Sequence, residues 1–108
     1  MVWVPGCMTP SGIILAENIG AKMIKFFPGN ILGPEFMSAI KALFPDLLFM
    51  PTGGVDLDKE NIAGWLKGGV CAVGMGSKLI SNKLLEQKDY SKIEALTKQA
   101  MDIVKSVR

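Results

Sequence analysis

The chain has 108 residues, 49% of them hydrophobic, and a formal net charge of +2. That is material for one core-bearing domain at most, with no basic run or aromatic-interleaved basic patch to suggest nucleic acid. No apolar stretch approaches the roughly 20 residues of a bilayer span, so no membrane partner is expected, and the start MVWVPGC lacks the regions of a signal peptide.

Four strand-like runs recur along the chain, each followed by a helix-like stretch. The first is Val2-Trp3-Val4, followed by TPSGIILAENIG with Thr9 as N-cap, Pro10 at the first helical position and Gly20 as terminator. The second, Met23 to Phe27, is bounded by Pro28-Gly29, as expected for a strand buried on both faces. Its helix opens at Pro34, with Phe36, Met37, Ile40, Leu43 and Phe44 on one face. The third run, Leu47 to Met50, precedes KENIAGWLKG, capped by Asp56 or Asp58 and stopped at Gly68-Gly69. After the fourth, Val70 to Val73, come SKLISNKLL and a long helix from Tyr90 to Val107. That helix has Ile93, Leu96, Ala100, Ile103, Val104 and Val107 at helical spacing.

Alternating strands and helices with short links predict a parallel α/β sheet. Right-handed crossovers then collect the C-terminal strand ends on one edge, where ligands bind in barrels and open sheets alike. Two architectures fit. Four βα units make the C-terminal half of a (β/α)8 TIM barrel, a single unit over residues 1–108 that is incomplete without its N-terminal half. A small open flavodoxin-like sheet is the other. Uniform short connections favour helices on one face and hence the half barrel. Its outer strands would be unpaired apolar edges, inviting a second half or self-association.

The strand ends carry Pro5-Gly6-Cys7, Phe27-Pro28-Gly29, Pro51-Thr52-Gly53-Gly54 and Gly74-Met75-Gly76-Ser77. Glycines admit a ligand close to the backbone, and free N–H groups at helix starts attract anions. PTGGV and GMGSKL together therefore suggest a phosphate cradle, with Thr52 and Ser77 as hydroxyl donors; a turn-making role for the glycines is the plain alternative. The GxG of GMGS lacks the pattern of a dinucleotide or Walker loop. In DLDKE, an N-cap with acids in the first helical turn accounts for the carboxylates without a metal. Lys22 and Lys41 read as ordinary solvated charges.

Chemistry is narrowed by composition. There is no histidine, which excludes His-activated nucleophiles and imidazole metal sites within the chain. Cys7 and Cys71 stand far apart without CxxC spacing, which suggests small core residues in a reducing, cytoplasmic location. Any covalent catalysis must then use another activated group, and lysine amine is the obvious candidate. Lys25 lies inside the second apolar run, and alternation puts Met23, Lys25 and Phe27 on one face. Facing a barrel interior, a lysine loses solvent around its ammonium, and as free amine it attacks a ketone. An ion pair with a neighbouring strand's carboxylate is the structural alternative.

IKFFPGN, preceded by WVPGCMTPSG and followed by FMPTGGV and VGMGSKL, resembles the C-terminal half of the 2-keto-3-deoxy-6-phosphogluconate / 4-hydroxy-2-oxoglutarate aldolase family. The resemblance runs through essentially the whole chain in order. It implies a class I, cofactor-free and metal-independent aldolase on a TIM barrel, cytoplasmic and usually trimeric, serving Entner-Doudoroff carbohydrate metabolism. Such an enzyme cleaves a 2-keto-3-deoxy sugar acid phosphate into pyruvate and glyceraldehyde 3-phosphate; related members use 4-hydroxy-2-oxoglutarate. By position the resemblance makes Lys25 the Schiff-base lysine and Phe27 a pocket wall. Thr52, Gly53, Gly54, Gly76 and Ser77 match segments holding the substrate's carboxylate or phosphate, and Pro5 and Thr9 border the same cavity. The family's general acid/base glutamate and carboxylate-binding arginine lie upstream of everything matched here, and Asn30 replaces an acidic residue of some members. Partners implied are a small 2-keto acid and either further copies of the chain or the missing barrel half. A non-catalytic half barrel retaining the anion site, or an unrelated phosphosugar barrel such as an isomerase, remains open from sequence.

Overall fold

The computed structural model describes all 108 residues, Met1–Arg108. The elements are β1 (Gly6–Cys7), α1 (Pro10–Asn18), β2 (Met23–Phe26), α2 (Gly29–Leu43), β3 (Leu48–Pro51), α3 (Lys59–Lys67), α4 (Asn82–Glu86) and α5 (Tyr90–Val107). The strands form a parallel sheet in the order β1-β2-β3, with Gly6 opposite Lys25 and Lys25 opposite Met50.

The sheet is covered on one face. Ile24, Phe26 and Phe49 are fully buried and cluster with Ile13 and Ala16 of α1, Met37 and Ile40 of α2, and Ile62 and Trp65 of α3. Phe26 is the hub, stacking on Phe36 at 6.0 Å and meeting Phe49 and Trp65 edge to face at 6.5 and 6.3 Å. Such ring pairs add to the burial energy of the side chains. On the other face Met23, Lys25 and Met50 are half-buried and Leu48 is exposed. The expectation that β2 is buried on both faces therefore fails: nothing in the chain lies over this side.

Helix signals in the sequence correspond closely to the elements. Thr9 Oγ1 accepts from Gly12 N–H at 3.1 Å with Pro10 opening α1, and Gly20 takes φ 97° just beyond it. Asp58, not Asp56, caps α3, accepting from Asn61 N–H at 2.9 Å. α5 spans the predicted residues, and Ile93, Leu96, Ala100, Ile103, Val104 and Val107 are its six least exposed positions. Its main packing partner is α3.

Several local expectations need correction. The first strand is Gly6–Cys7 rather than Val2–Val4; its pairing runs from the Pro5 carbonyl, which accepts Lys25 N–H at 2.8 Å, to Cys7. Val2 and Trp3 lie exposed beyond the end of β2. The fourth run, Val70–Val73, follows β3 without becoming a regular strand. Cys71 N–H donates to Phe49 and Gly74 N–H to Pro51, so two residues of β3 span three of its neighbour. One extra residue breaks the ladder in the manner of a bulge, and only the Thr52–Gly74 bridge closes.

Three helical details differ as well. α2 has an additional first turn before Pro34, joined at Gly33 with φ 77°. Leu43 is exposed, while Met37, Ile40 and Phe44 make the buried stripe. SKLISNKLL divides into a turn and the short α4, because Ser81 caps a new start by accepting from Leu84 N–H. Lys41 is no solvated charge: its ammonium donates to the Pro45 and Leu47 carbonyls at 2.7 and 2.8 Å and lies over the Phe49 ring.

Candidate active site

The C-terminal ends of β2 and β3 and the segment after Cys71 meet in a groove of about 270 Å³. Phe27, Thr52, Gly53, Gly54, Gly76 and Ser77, distant in sequence, all line it. The approach is close because side chains are missing. A Cβ on Gly29 would clash with the Gly53 carbonyl oxygen, and one on Gly54 would sit 2.6 Å from Asn30 Cα. Gly53 and Gly54 also take φ 82° and 70°, which L side chains resist. The two turns are thus locked together by backbone contact.

The cradle is further fixed from below. Asn61 Nδ2 and Trp65 Nε1 both donate to the Gly54 carbonyl, at 3.0 and 3.2 Å, and Asn61 Oδ1 accepts Asp56 N–H at 2.9 Å. With that carbonyl held, the N–H groups of Gly53, Gly54, Gly76 and Ser77 make no backbone hydrogen bonds. Unpaired N–H groups beside a turn suit an anion. Lys78 lines the same groove and pairs with Asp56 at 3.0 Å.

Lys25 stands on the uncovered face of β2. Its neighbour in register on β1 is Gly6, where an added Cβ would meet nothing within 4 Å. The ammonium lies over the Phe27 ring at 4.9 Å from its centroid, a cation–π distance. Phe27 thus adjoins both Lys25 and the glycine groove. No carboxylate pairs with Lys25, so the ion-pair alternative for this residue is not realised within the chain.

Pro5 and Thr9 stand apart from the groove. The Pro5 carbonyl is engaged with Lys25 N–H, and Thr9 is the α1 cap. Cys7 is buried beside Phe26 in the register, and burial pushes its thiol above the ordinary range; Cys71 donates its thiol to the Phe49 carbonyl. Both are free.

Sequence reasoning placed Gly29 at a strand end and noted Asn30 without giving either a contact, and it missed Asn61, Trp65 and Lys78. PGN carried a turn signal that named the first pair. Asn61 stands three residues after the Asp58 cap, where a side chain can reach back over a helix start. Trp65 carried none: its spacing is that of an ordinary core residue.

The chain is thus an α/β protein with a parallel sheet, a glycine-lined groove at its strand ends and a lysine on the adjoining open face. The family model described as KDPG and KHG aldolase matches residues 1–96, and the chain belongs to that family. It is 33% identical over its whole length to the 2-dehydro-3-deoxy-6-phosphogalactonate aldolase of Escherichia coli (strain K12), covering 49% of that protein. It is 34% identical to the 2-dehydro-3-deoxy-phosphogluconate aldolase of Pseudomonas aeruginosa, over 92% of this chain and 44% of that one. A solved structure titled "Native KDPGal structure" superimposes with a TM-score of 0.78 at 30% identity, covering 97% of this chain and 50% of the other. A cube-shaped cage designed by fusing symmetric oligomeric domains matches equally, with a TM-score of 0.78. The chain spans about half the length of the curated relatives it matches.

Proposed function

We propose that the chain is the imine-forming and phosphate-binding half of a class I aldolase that cleaves a 2-keto-3-deoxy-6-phospho sugar acid. The observation that carries this reading is Lys25. It projects on the uncovered face of β2, beside the empty position of Gly6, and its ammonium adjoins the groove through Phe27. A lysine so placed has room beside it for a small keto acid.

The chemistry follows from an amine. Lys25, as free amine, attacks the C2 ketone, and loss of water leaves a protonated imine. The cationic nitrogen withdraws the electron pair of the C3–C4 bond as the C4 hydroxyl proton is removed. The aldehyde leaves, and the enamine remains on Lys25. Protonation at C3 and hydrolysis release pyruvate and restore the amine. Thr52, Gly53, Gly54, Gly76 and Ser77 hold the charged end of the substrate, supported by the unpaired N–H groups there. Pro5 enters the reading through the hydrogen bond its carbonyl accepts from Lys25 N–H, and Thr9, the α1 cap, through the sequence resemblance alone.

The sequential strand order and one-sided helix layer support a half (β/α)8 barrel. The proton-transferring carboxylate then comes from the other half, which covers Lys25 and desolvates it. A cytoplasmic, Entner-Doudoroff-type role and a homo-oligomer, trimeric as the resemblance implies, complete the reading. The cage built from symmetric oligomeric domains is in keeping with association. A non-catalytic module that keeps only the anion groove is the second reading, favoured by one observation: no Asp or Glu lines the groove.

Borohydride reduction in the presence of pyruvate, followed by peptide mass analysis, separates the two. The expected product is an adduct on Lys25, lost in Lys25→Met while the circular dichroism spectrum is retained. A well-folded preparation with both barrel halves that gives no adduct would overturn the Schiff-base role. Persistent trapping in Lys25→Met would assign it to another lysine.

A further inference from the structure

Lys78 is the only charged residue lining the groove, and nothing in the anion chemistry of the glycine turns accounts for it. It follows directly on Ser77 in the turn whose Gly76 carbonyl accepts from both Leu79 and Ile80 N–H, so its backbone is set while its side chain remains largely free. The ammonium reaches across to Asp56, Nζ to Oδ1 3.0 Å, with both side chains substantially exposed, 60% and 47%. Asp56 is itself anchored, because its N–H donates to Asn61, the residue that also holds the Gly54 carbonyl. An exposed cation is therefore tethered, through a carboxylate whose backbone is anchored, to the frame of the glycine groove.

We propose that Lys78 is a substrate-binding residue for the phosphate end, and that Asp56 holds its ammonium at the groove mouth until a dianion displaces the pair. This rests on the phosphate-groove reading above. An exposed ion pair contributes little stability, so Lys78 leaves Asp56 readily. A phosphate dianion offers it charge-assisted hydrogen bonds of greater strength, beside N–H groups that have no other backbone acceptor. With Lys78 on Asp56 the mouth is electrically balanced; with a dianion bound, the ammonium is shared between the ligand and the carboxylate. A non-phosphorylated aldehyde lacks the charge to recruit Lys78. The pair thus favours phosphorylated over unphosphorylated substrates, and Asp56 moderates the affinity so that phosphorylated product is not retained.

Titration of inorganic phosphate into the full chain by calorimetry, at constant ionic strength, tests the assignment. Lys78→Gln is expected to weaken phosphate by about five- to tenfold, the scale of one charged hydrogen bond, and Lys78→Arg to restore it. Asp56→Asn is expected to tighten phosphate by about two- to threefold, because a competing carboxylate is gone. The urea midpoint of Lys78→Gln should stay close to the parent's, because an exposed ion pair contributes little stability. The proposal is overturned if Ser77→Ala weakens phosphate while Lys78→Gln and Asp56→Asn bind it like the parent. It is also overturned if Lys78→Gln lowers the urea midpoint along with phosphate binding, the signature of a general structural role. If the parent chain does not bind phosphate, the groove reading itself fails and takes the role of Lys78 with it.

Discussion

At the scale of the residue, the candidate site is made by what two glycines allow. Gly54 combines φ 70° with a neighbour, Asn30 Cα, that would lie 2.6 Å from any Cβ placed there. Neither the conformation nor the contact can relax through a flexible side chain, since both involve backbone. Gly54→Ala is therefore expected to destabilise the fold by about 1–3 kcal/mol, read as a lower urea midpoint at an unchanged slope. Gly76→Ala is the control, because a Cβ at Gly76 meets nothing within 4 Å and its φ is unexceptional; its midpoint should stay close to the parent's. Equal loss in both variants would mean that the interlocked turns are not what makes Gly54 special. Lys25 shows the complementary case, a residue whose environment is defined by the missing side chain of Gly6 next to it.

At the scale of the element, the C-terminal end of α2 is tied to the start of β3 by one side chain. Lys41 bridges the Pro45 and Leu47 carbonyls and rests over Phe49, so the α2–β3 connection is closed by a charged donor. Lys41→Met keeps the aliphatic stem and removes two charge-assisted hydrogen bonds, one of them partly buried. The expected loss is about 1–2 kcal/mol, seen in thermal or urea unfolding and absent in Lys67→Met on the last turn of α3. A change within error of that control would reduce Lys41 to a surface charge. The helices themselves were legible: caps at Thr9 and Asp58, the Gly20 and Gly69 terminators at φ 97°, and the α5 stripe follow from local rules. The strands were less so. Apolar runs such as Val2–Val4 mark where a strand can form, but pairing is set by register, and the hydrogen bonds to β2 run from the Pro5 carbonyl to Cys7. The Val70–Val73 run has the right residues and a bulged register, which no periodicity encodes.

At the scale of the whole molecule, apolar surface is left uncovered in three places. Leu48 and Phe27 are exposed on the open side of the sheet, and Val2 and Trp3 are exposed ahead of β1. Val73, Met75 and Leu79 face Ala100, Met101 and Val104 across an apolar groove of about 190 Å³. An unpaired strand edge next to such surface favours association. The 108-residue chain is expected to self-associate with rising concentration in sedimentation velocity and to show little aldol cleavage by itself. Robust turnover by a monomer of this length would contradict the half-site reading.

The amino-acid sequence by itself determined the alternation of strand and helix, the limits of α1, α3 and α5 and the family, because caps, helical periodicity and IKFFPGN with PTGGV are properties of neighbouring residues. It also marked Lys25 as out of place in its run and gathered the glycines at the strand ends. Only the tertiary structure decided that Lys25 is half-exposed on an open face and lies against Phe27, and that Gly29 and Asn30 close onto Gly53 and Gly54. The same holds for Lys78 and Asp56 at the groove mouth. These are contacts between segments separated along the chain, and they are set by the register of the sheet and the reach of folded turns rather than by any local preference.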